Sequence, residues 1–180
     1  MHRSLYIFVL SAIALVAQPP AGDIPGSLAP YLPTPNIVVD QMLQAGGLKA
    51  GETMFDLGSG DGRIVIAAAK KYKAIAIGVE LDDELAAAST SRIAENGLEK
   101  TARIIHGDLM KQDYSSADLV TVYLWPEANK KVAQLLEIQL KKGARVVAHD
   151  FEMGDWKPTK TITVPDDGTG RSHMIYVYIR

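Results

Sequence analysis

The 180-residue chain contains no cysteine. That excludes disulfides, thiolate metal sites and a cysteine nucleophile. It also lacks an excess of either charge: 19 basic and 21 acidic residues leave a net charge of −2. A nucleic-acid surface usually shows as a basic domain, so composition gives no electrostatic case for one. Internal repeats and low-complexity tracts are missing. The four histidines (His2, His106, His149, His173) are scattered, without the close spacing of a metal-binding helix motif, which argues against zinc and against any metal ligand set. The longest apolar run, Leu5 to Ala17, is about 13 residues, short of the roughly 20 that span a bilayer.

That run follows His2 and Arg3 and matches the apolar part of a signal peptide. A cleavage site is poorly marked, because Leu15 sits two positions before Ala17 and prolines come after it. A signal peptide, an uncleaved anchor, a membrane-surface helix and a core helix all remain open. The stretch from Gln18 to Gly26, rich in proline and glycine, reads as a linker that detaches the run from the folded part. The chain therefore divides into an apolar segment (1–20), a linker and pre-motif (21–33), and one folded domain (34–180). Membrane association is expected through residues 4–17.

The folded part alternates short apolar strands with amphipathic helices. A helix opens near Thr34 as its cap, with Pro35 in the first turn and Ile37, Val38, Met42 and Leu43 on one face; Gly46-Gly47 ends it. Strands are expected at Thr53–Leu57, Ala74–Glu80, Ala102–His106, Asp118–Leu124 and Ala144–His149. Helices are expected at Arg63–Lys71, Asp82–Glu95 and Pro126–Leu140. Thr159–Val164 and His173–Ile179 have no helix between them, so they form an antiparallel hairpin. The fold class is α/β: a Rossmann-like, doubly wound, seven-stranded sheet, mostly parallel with a C-terminal antiparallel hairpin.

The chemistry concentrates in "FDLGSGDGRIVIAAA". Asp56 ends the first strand, and Gly58, Gly60 and Gly62 form a tight turn into a helix. A dinucleotide turn reads G-x-G-x-x-G, so that a pyrophosphate lies on the helix end. Here the sixth position is Arg63, and Asp61 places negative charge where phosphate would sit. Asp56 adds another, so the turn favours a cationic ligand. Glu80 ends the second strand, 24 residues after Asp56, where a carboxylate accepts from ribose hydroxyls. Asp108 comes just after the third strand.

These features resemble class I S-adenosylmethionine (SAM) methyltransferases from about Tyr31 onward. The finer match, in "PYLPTPNIVVDQML" and the glycine turn, is to the mitochondrial lysine methyltransferases of the ATP synthase c subunit and the adenine nucleotide translocase, with their bacterial relatives. The resemblance implies SAM as cofactor, with S-adenosylhomocysteine as product. It implies a cofactor site of Thr34, Asp56, Gly58, Ser59, Gly60, Gly62, Glu80, Leu81, Asp108 and Leu109. Asp108 would hold the adenine amino group and Leu109 the ring. Thr34 would donate to the methionine carboxylate, in competition with its capping role.

The acceptor should lie at "YLWPEANKK". It departs from the Asn-Pro-Pro-Tyr motif of enzymes that methylate planar amines, and no metal-paired base of the catechol type is present. Aromatic walls suit an alkylamine. Tyr31 and Trp125 are the expected catalytic-site aromatics, with Tyr123 and Phe151 as further candidates. Core packing is the competing explanation for each, above all for Tyr123 inside a strand. The implied reaction is direct displacement: a neutral lysine amine attacks the methyl carbon, with no metal and no covalent intermediate. Asp150 and Glu152 are candidate proton acceptors, against a reading as ordinary surface acids. The expected substrate is a membrane or membrane-bound protein, not nucleic acid. The expected location is membrane-associated with the domain in the cytoplasm, where SAM is made, although the charges before the apolar run favour export. Small-molecule methylation and non-catalytic SAM binding are the alternatives.

Overall fold

A computed structural model describes residues 27–180. The apolar run and the linker from Gln18 to Gly26, with the membrane reading that rests on them, lie outside the described residues. Helix α1 (Asn36–Ala45) buries Val38, Val39, Met42 and Leu43. Burying such a side chain stabilises by about 1.5–3 kcal/mol. Two details differ from expectation. Ile37 is exposed, because the helix begins at Asn36 and turns Val39 inward instead. Pro35 takes the cap position and no side chain caps the helix, so Thr34 is not its cap.

The remaining elements alternate along the chain: β1 (Thr53–Leu57), α2 (Arg63–Tyr72), β2 (Ile75–Glu80), α3 (Asp83–Glu95), β3 (Ala102–His106), β4 (Leu119–Val122), α4 (Pro126–Gln139), β5 (Arg145–His149), β6 (Lys160–Val164) and β7 (His173–Ile179). A short 3₁₀ turn, Leu109–Lys111, comes after β3. Helix α3 opens as the sequence implies: the Leu85 amide donates to the Asp82 carboxylate at 2.8 Å.

All seven strands form one sheet in the order β3-β2-β1-β4-β5-β7-β6. β1 to β5 pair in parallel, and β7 pairs antiparallel with both β5 and β6. β1 and β4 are neighbours, so chain order reverses there, and the carboxyl ends of these strands are where such a sheet takes its ligand. The core has two layers. Met54, Ala76, Leu119, Val147 and Ile175 face α1, α2 and α3. Phe55, Leu57, Val79, Val120, Val146 and Tyr178 face α4 and Tyr114. The opposite edge of the sheet is tied shut: Arg145 donates to Gly47 O, Asp118 O and the Glu52 carboxylate. The carboxyl edge, which carries Asp56, Glu80 and His149, is the one left free for chemistry.

Candidate functional site

The turn after β1 folds back on β2: the amides of Gly58 and Ser59 both donate to Val79 O, at 2.9 and 3.0 Å. Gly58, Gly60 and Gly62 all have left-handed backbones, with φ of 74°, 52° and 77°, where an L side chain is strained. Their missing side chains also make room for protein neighbours. A Cβ at Gly60 would lie 2.6 Å from Tyr31 Cε2, and one at Gly62 would lie 2.9 Å from Ser89 Cβ. The Tyr31 ring therefore lies across the turn. The Ser59 side chain is turned away, buried against Gly78 with no partner for its hydroxyl among the described residues.

The two acids of the turn differ in state. Asp56 is fully buried, and burial pushes its carboxyl up to about 7, with the negative Glu80 and Asp61 adding to the rise. Its Oδ1 accepts from the Thr121 hydroxyl at 2.7 Å. Among the described residues no donor reaches its Oδ2. Asp61 is already paired: its carboxylate takes Arg63 Nη2 at 2.8 Å and Arg92 Nη1 at 2.7 Å. Burial opposes its ionisation, but these guanidinium bonds hold it at about 2. The expectation that Asp61 offers a bare negative charge to a ligand is therefore corrected. Among the described residues Asp56 is the turn's one acid without a cationic partner, and burial keeps it protonated until about pH 7.

Glu80 is buried between the turn and the next loop. Its Oε2 accepts from the Gly60 amide at 2.6 Å and its Oε1 from the Asp82 amide at 2.9 Å. Each oxygen retains lone-pair capacity for a hydroxyl donor. Leu81 presents its carbonyl to His106 Nε2 at 3.1 Å. Asp108 is half-exposed at the end of β3, and its Oδ1 accepts from the Met110 amide at 2.8 Å. Leu109 beside it is buried. Thus Asp56, Glu80 and Asp108 stand at three neighbouring strand ends.

These residues suit SAM on the structure's own terms. Asp56 is a buried carboxylate whose second oxygen lacks a donor, so a cationic group can complete it. Glu80 is fixed by two amides and left able to accept, as ribose hydroxyls require. Asp108 supplies a half-exposed acceptor, with Leu109 packed in the core just behind it. SAM supplies a methyl group on a positively charged sulfur.

Beyond β4 the picture is mixed. Trp125 is 55% exposed at the start of α4. Tyr123 lies past the end of β4 and is only partly buried, so it is not a core residue. Its ring packs 3.9 Å from that of His149 and stacks with Phe151 at 6.4 Å. The Thr34 hydroxyl is buried and lies 3.3 Å from His149 Nδ1. His149 Nε2 in turn lies 2.9 Å from His173 Nδ1, so two histidines that look scattered in the sequence touch in space. Burial lowers His149 to about 4 and keeps it neutral. Asp150 has a left-handed backbone, φ 58°, and its Oδ2 faces His173 at 3.0 Å. Burial alone would raise Asp150, but the Met174 amide and the histidines carry it below the usual carboxylate range. It is a networked acid rather than a free surface acid, and a poor proton store. Glu152 is exposed. Sequence reasoning misses the His149–His173 pair; the available signal is one histidine ending β5 and another beginning β7 on adjacent antiparallel strands.

Known proteins share this geometry. Residues 56–160 match the family model of the ANTKMT methyltransferase domain. A protein-lysine N-methyltransferase of Saccharolobus islandicus is 39% identical over 151 residues, covering 83% of this chain and 92% of that protein. The mouse lysine N-methyltransferase of the ATP synthase c subunit is 33% identical over 132 residues, covering 73% of this chain. The matched part is 53% of the mouse protein, so the chain spans about half its length. Among solved structures, a Salinibacter ruber RNA methyltransferase in complex with S-adenosyl-L-homocysteine superposes with a TM-score of 0.76 at 38% identity, covering 82% of this chain and 93% of that one. With its glycine turn, three acidic strand ends and seven-stranded sheet, the chain belongs to the ANTKMT methyltransferase domain family of SAM-dependent methyltransferases.

Proposed function

We propose that this methyltransferase acts on the ε-amino group of a protein lysine, and that its substrate is a membrane or membrane-bound protein. The observation that carries the lysine reading is the match to the archaeal protein-lysine N-methyltransferase over nearly that protein's whole length. The site chemistry supports it. The Tyr31 ring covers the glycine turn, and Tyr123 stacks with Phe151 past the end of β4, against His149. Such walls orient an alkylamine and strip its water. Trp125 is exposed just before α4, where it is available to a protein surface without being needed for the fold. Free lysine titrates near pH 10.4, so the amine must lose a proton before attack. Asp150, held ionised within its network, orients donors rather than keeping that proton.

The membrane part of the reading rests on the apolar run through residues 4–17. Among the described residues no helix is long and apolar enough to cross a membrane. We place the catalytic domain in the cytoplasm, anchored at its N-terminus. A topology reporter fused after Arg180 and active only outside the cytoplasm would refute that placement. RNA methylation is the second reading, favoured by the Salinibacter neighbour and opposed by the net charge of −2.

One experiment separates them. Methyl-labelled SAM is supplied with the enzyme to membrane, soluble and RNA fractions of the source cell, and labelled products are hydrolysed. Methyl-lysine in a membrane-protein band is the expected result. Label in RNA, or in soluble protein alone, overturns the respective half of the proposal.

A further inference from the structure

At the carboxyl edge of the sheet, β5 ends in His149 with Asp150 next to it, and β7 begins at His173. Antiparallel pairing, with His149 opposite Ile175, sets the three side by side. His149 Nε2 and His173 Nδ1 are 2.9 Å apart. His173 Nδ1 lies 3.0 Å, and His149 Nε2 3.5 Å, from the same oxygen, Asp150 Oδ2. Tetrahedral donors about 2.0–2.1 Å from one ion stand about 3.3 Å from each other. The observed triangle is within a few tenths of an ångström of that figure on every side.

A second observation concerns the far nitrogen of each ring. His149 Nδ1 faces the Thr34 hydroxyl at 3.3 Å, and His173 Nε2 faces the Asp167 carboxylate at 3.2 Å. Both oxygens are placed to accept the N–H of a neutral imidazole. With the ring protons on those far nitrogens, as a bound ion would require, both remaining lone pairs turn inward, toward Asp150. Acceptors behind the ligating histidines are the usual outer shell of a metal site. Asp150 is aimed in the same way: its Oδ1 accepts from the Met174 amide at 2.9 Å, and its Oδ2 is left to face the rings. Both histidines are buried, whereas the Asp150 side chain is 15% exposed, which leaves one side open. On that side are the Tyr123 hydroxyl, 3.5 Å from Oδ2, and the largely exposed Arg171 guanidinium, 3.6 Å from it. Three electron-rich atoms converge on one point, so something positive belongs between them.

We propose that His149, His173 and Asp150 bind one divalent transition-metal ion of the zinc or cobalt type, which ties the end of β5 to the start of β7. Two imidazoles and one carboxylate suit these ions better than calcium or magnesium, which prefer oxygen donors. The fourth position faces the Tyr123 hydroxyl, with the Arg171 guanidinium beside it on the same carboxylate oxygen.

The test uses the full chain, stripped with a chelator and titrated with Co²⁺ and Zn²⁺ at pH 7.5. One equivalent of ion is expected, with the intense visible absorption of four-coordinate Co²⁺. The melting temperature should rise with the logarithm of free ion concentration. Stoichiometric binding should be lost in His173→Gln and kept in a His2→Gln/His106→Gln double variant. If His173→Gln does not fold, Asp150→Asn carries the same expectation while leaving both rings in place. Absence of stoichiometric binding to folded protein, or binding that survives these substitutions, overturns the proposal and assigns the cluster a shared proton instead.

Discussion

Replacing Asp56 with asparagine should stabilise the ligand-free protein while damaging SAM binding. The carboxyl is fully buried and pushed from 3.8 to about 7. Between those values the folded state holds a proton that the unfolded chain has released, so folding stability falls as pH rises through the window. Each pK unit is about 1.4 kcal/mol, which gives about 4 kcal/mol lost by pH 8. Asparagine keeps the Thr121 hydroxyl bond to Oδ1 and has no charge to desolvate. His149 complicates the wild-type curve. Held neutral down to about 4, it adds stability that grows as pH rises from 4 to 6.5, the opposite sign over much of the same range. The informative quantity is therefore the difference between Asp56→Asn and wild type in urea melts from pH 4.5 to 8. That difference should start at about 1 kcal/mol and grow to about 4 kcal/mol, the upper limit if the site stays dry. Parallel curves, or a variant that loses stability with rising pH, would refute the reasoning. The binding arm is separate. Between pH 5.5 and 7 the ligand's α-amino group stays protonated. Wild-type affinity for SAM should weaken toward a limit of about tenfold per pH unit below 7, and the variant's should be weak and flat.

Three further outcomes are expected at the same site. Gly60→Ala puts a Cβ 2.6 Å from Tyr31 at φ 52°, so calorimetric SAM binding should be lost, with about 2 kcal/mol of stability; Gly97→Ala, at φ 65° with nothing within 4 Å, should cost only about 1 kcal/mol of backbone strain and leave binding unchanged. Asp61→Asn breaks two partly exposed guanidinium pairs and should cost about 1 kcal/mol at pH 7, and because the Asp61 carboxyl is lowered to about 2, wild type should lose that advantage as pH falls from 4 to 2 in acid melts. Trp125→Ala, at an exposed position, should leave the melting temperature and SAM affinity unchanged while reducing methyl transfer to the protein substrate at least tenfold.

Local chemistry is legible in the sequence; contact between distant segments is less so. Asp82 caps α3 as expected because capping needs only the next three residues. The strand ends at Leu57, Glu80 and His106 are set by short apolar runs and the turns after them. The glycine turn and its acids are visible as a unit. What cannot be read is who stands opposite. Asp61 looks like a free charge until α3 brings Arg92 beside it, 31 residues later in the chain. Thr34 has the composition of a helix cap, yet its hydroxyl is drawn to His149, 115 residues away. Tyr123 resembles a strand residue, but β4 stops at Val122 and releases its ring toward His149.

The position of β7 divides the protein into halves of different history. β1, β2 and β3, with the helices between them, join neighbours in sequence, so the cofactor half is built from local contacts as the chain emerges. β7 is made after β6, yet it lies inside β6 and is the bridge that holds β6 to the rest of the sheet. The cluster of His149, Asp150 and His173 waits for that insertion. A nascent chain short of residue 173 already carries every element of the SAM site and none of β7. The order of synthesis thus separates the three acidic strand ends, made early, from the histidine pair, which can form only once β7 is made.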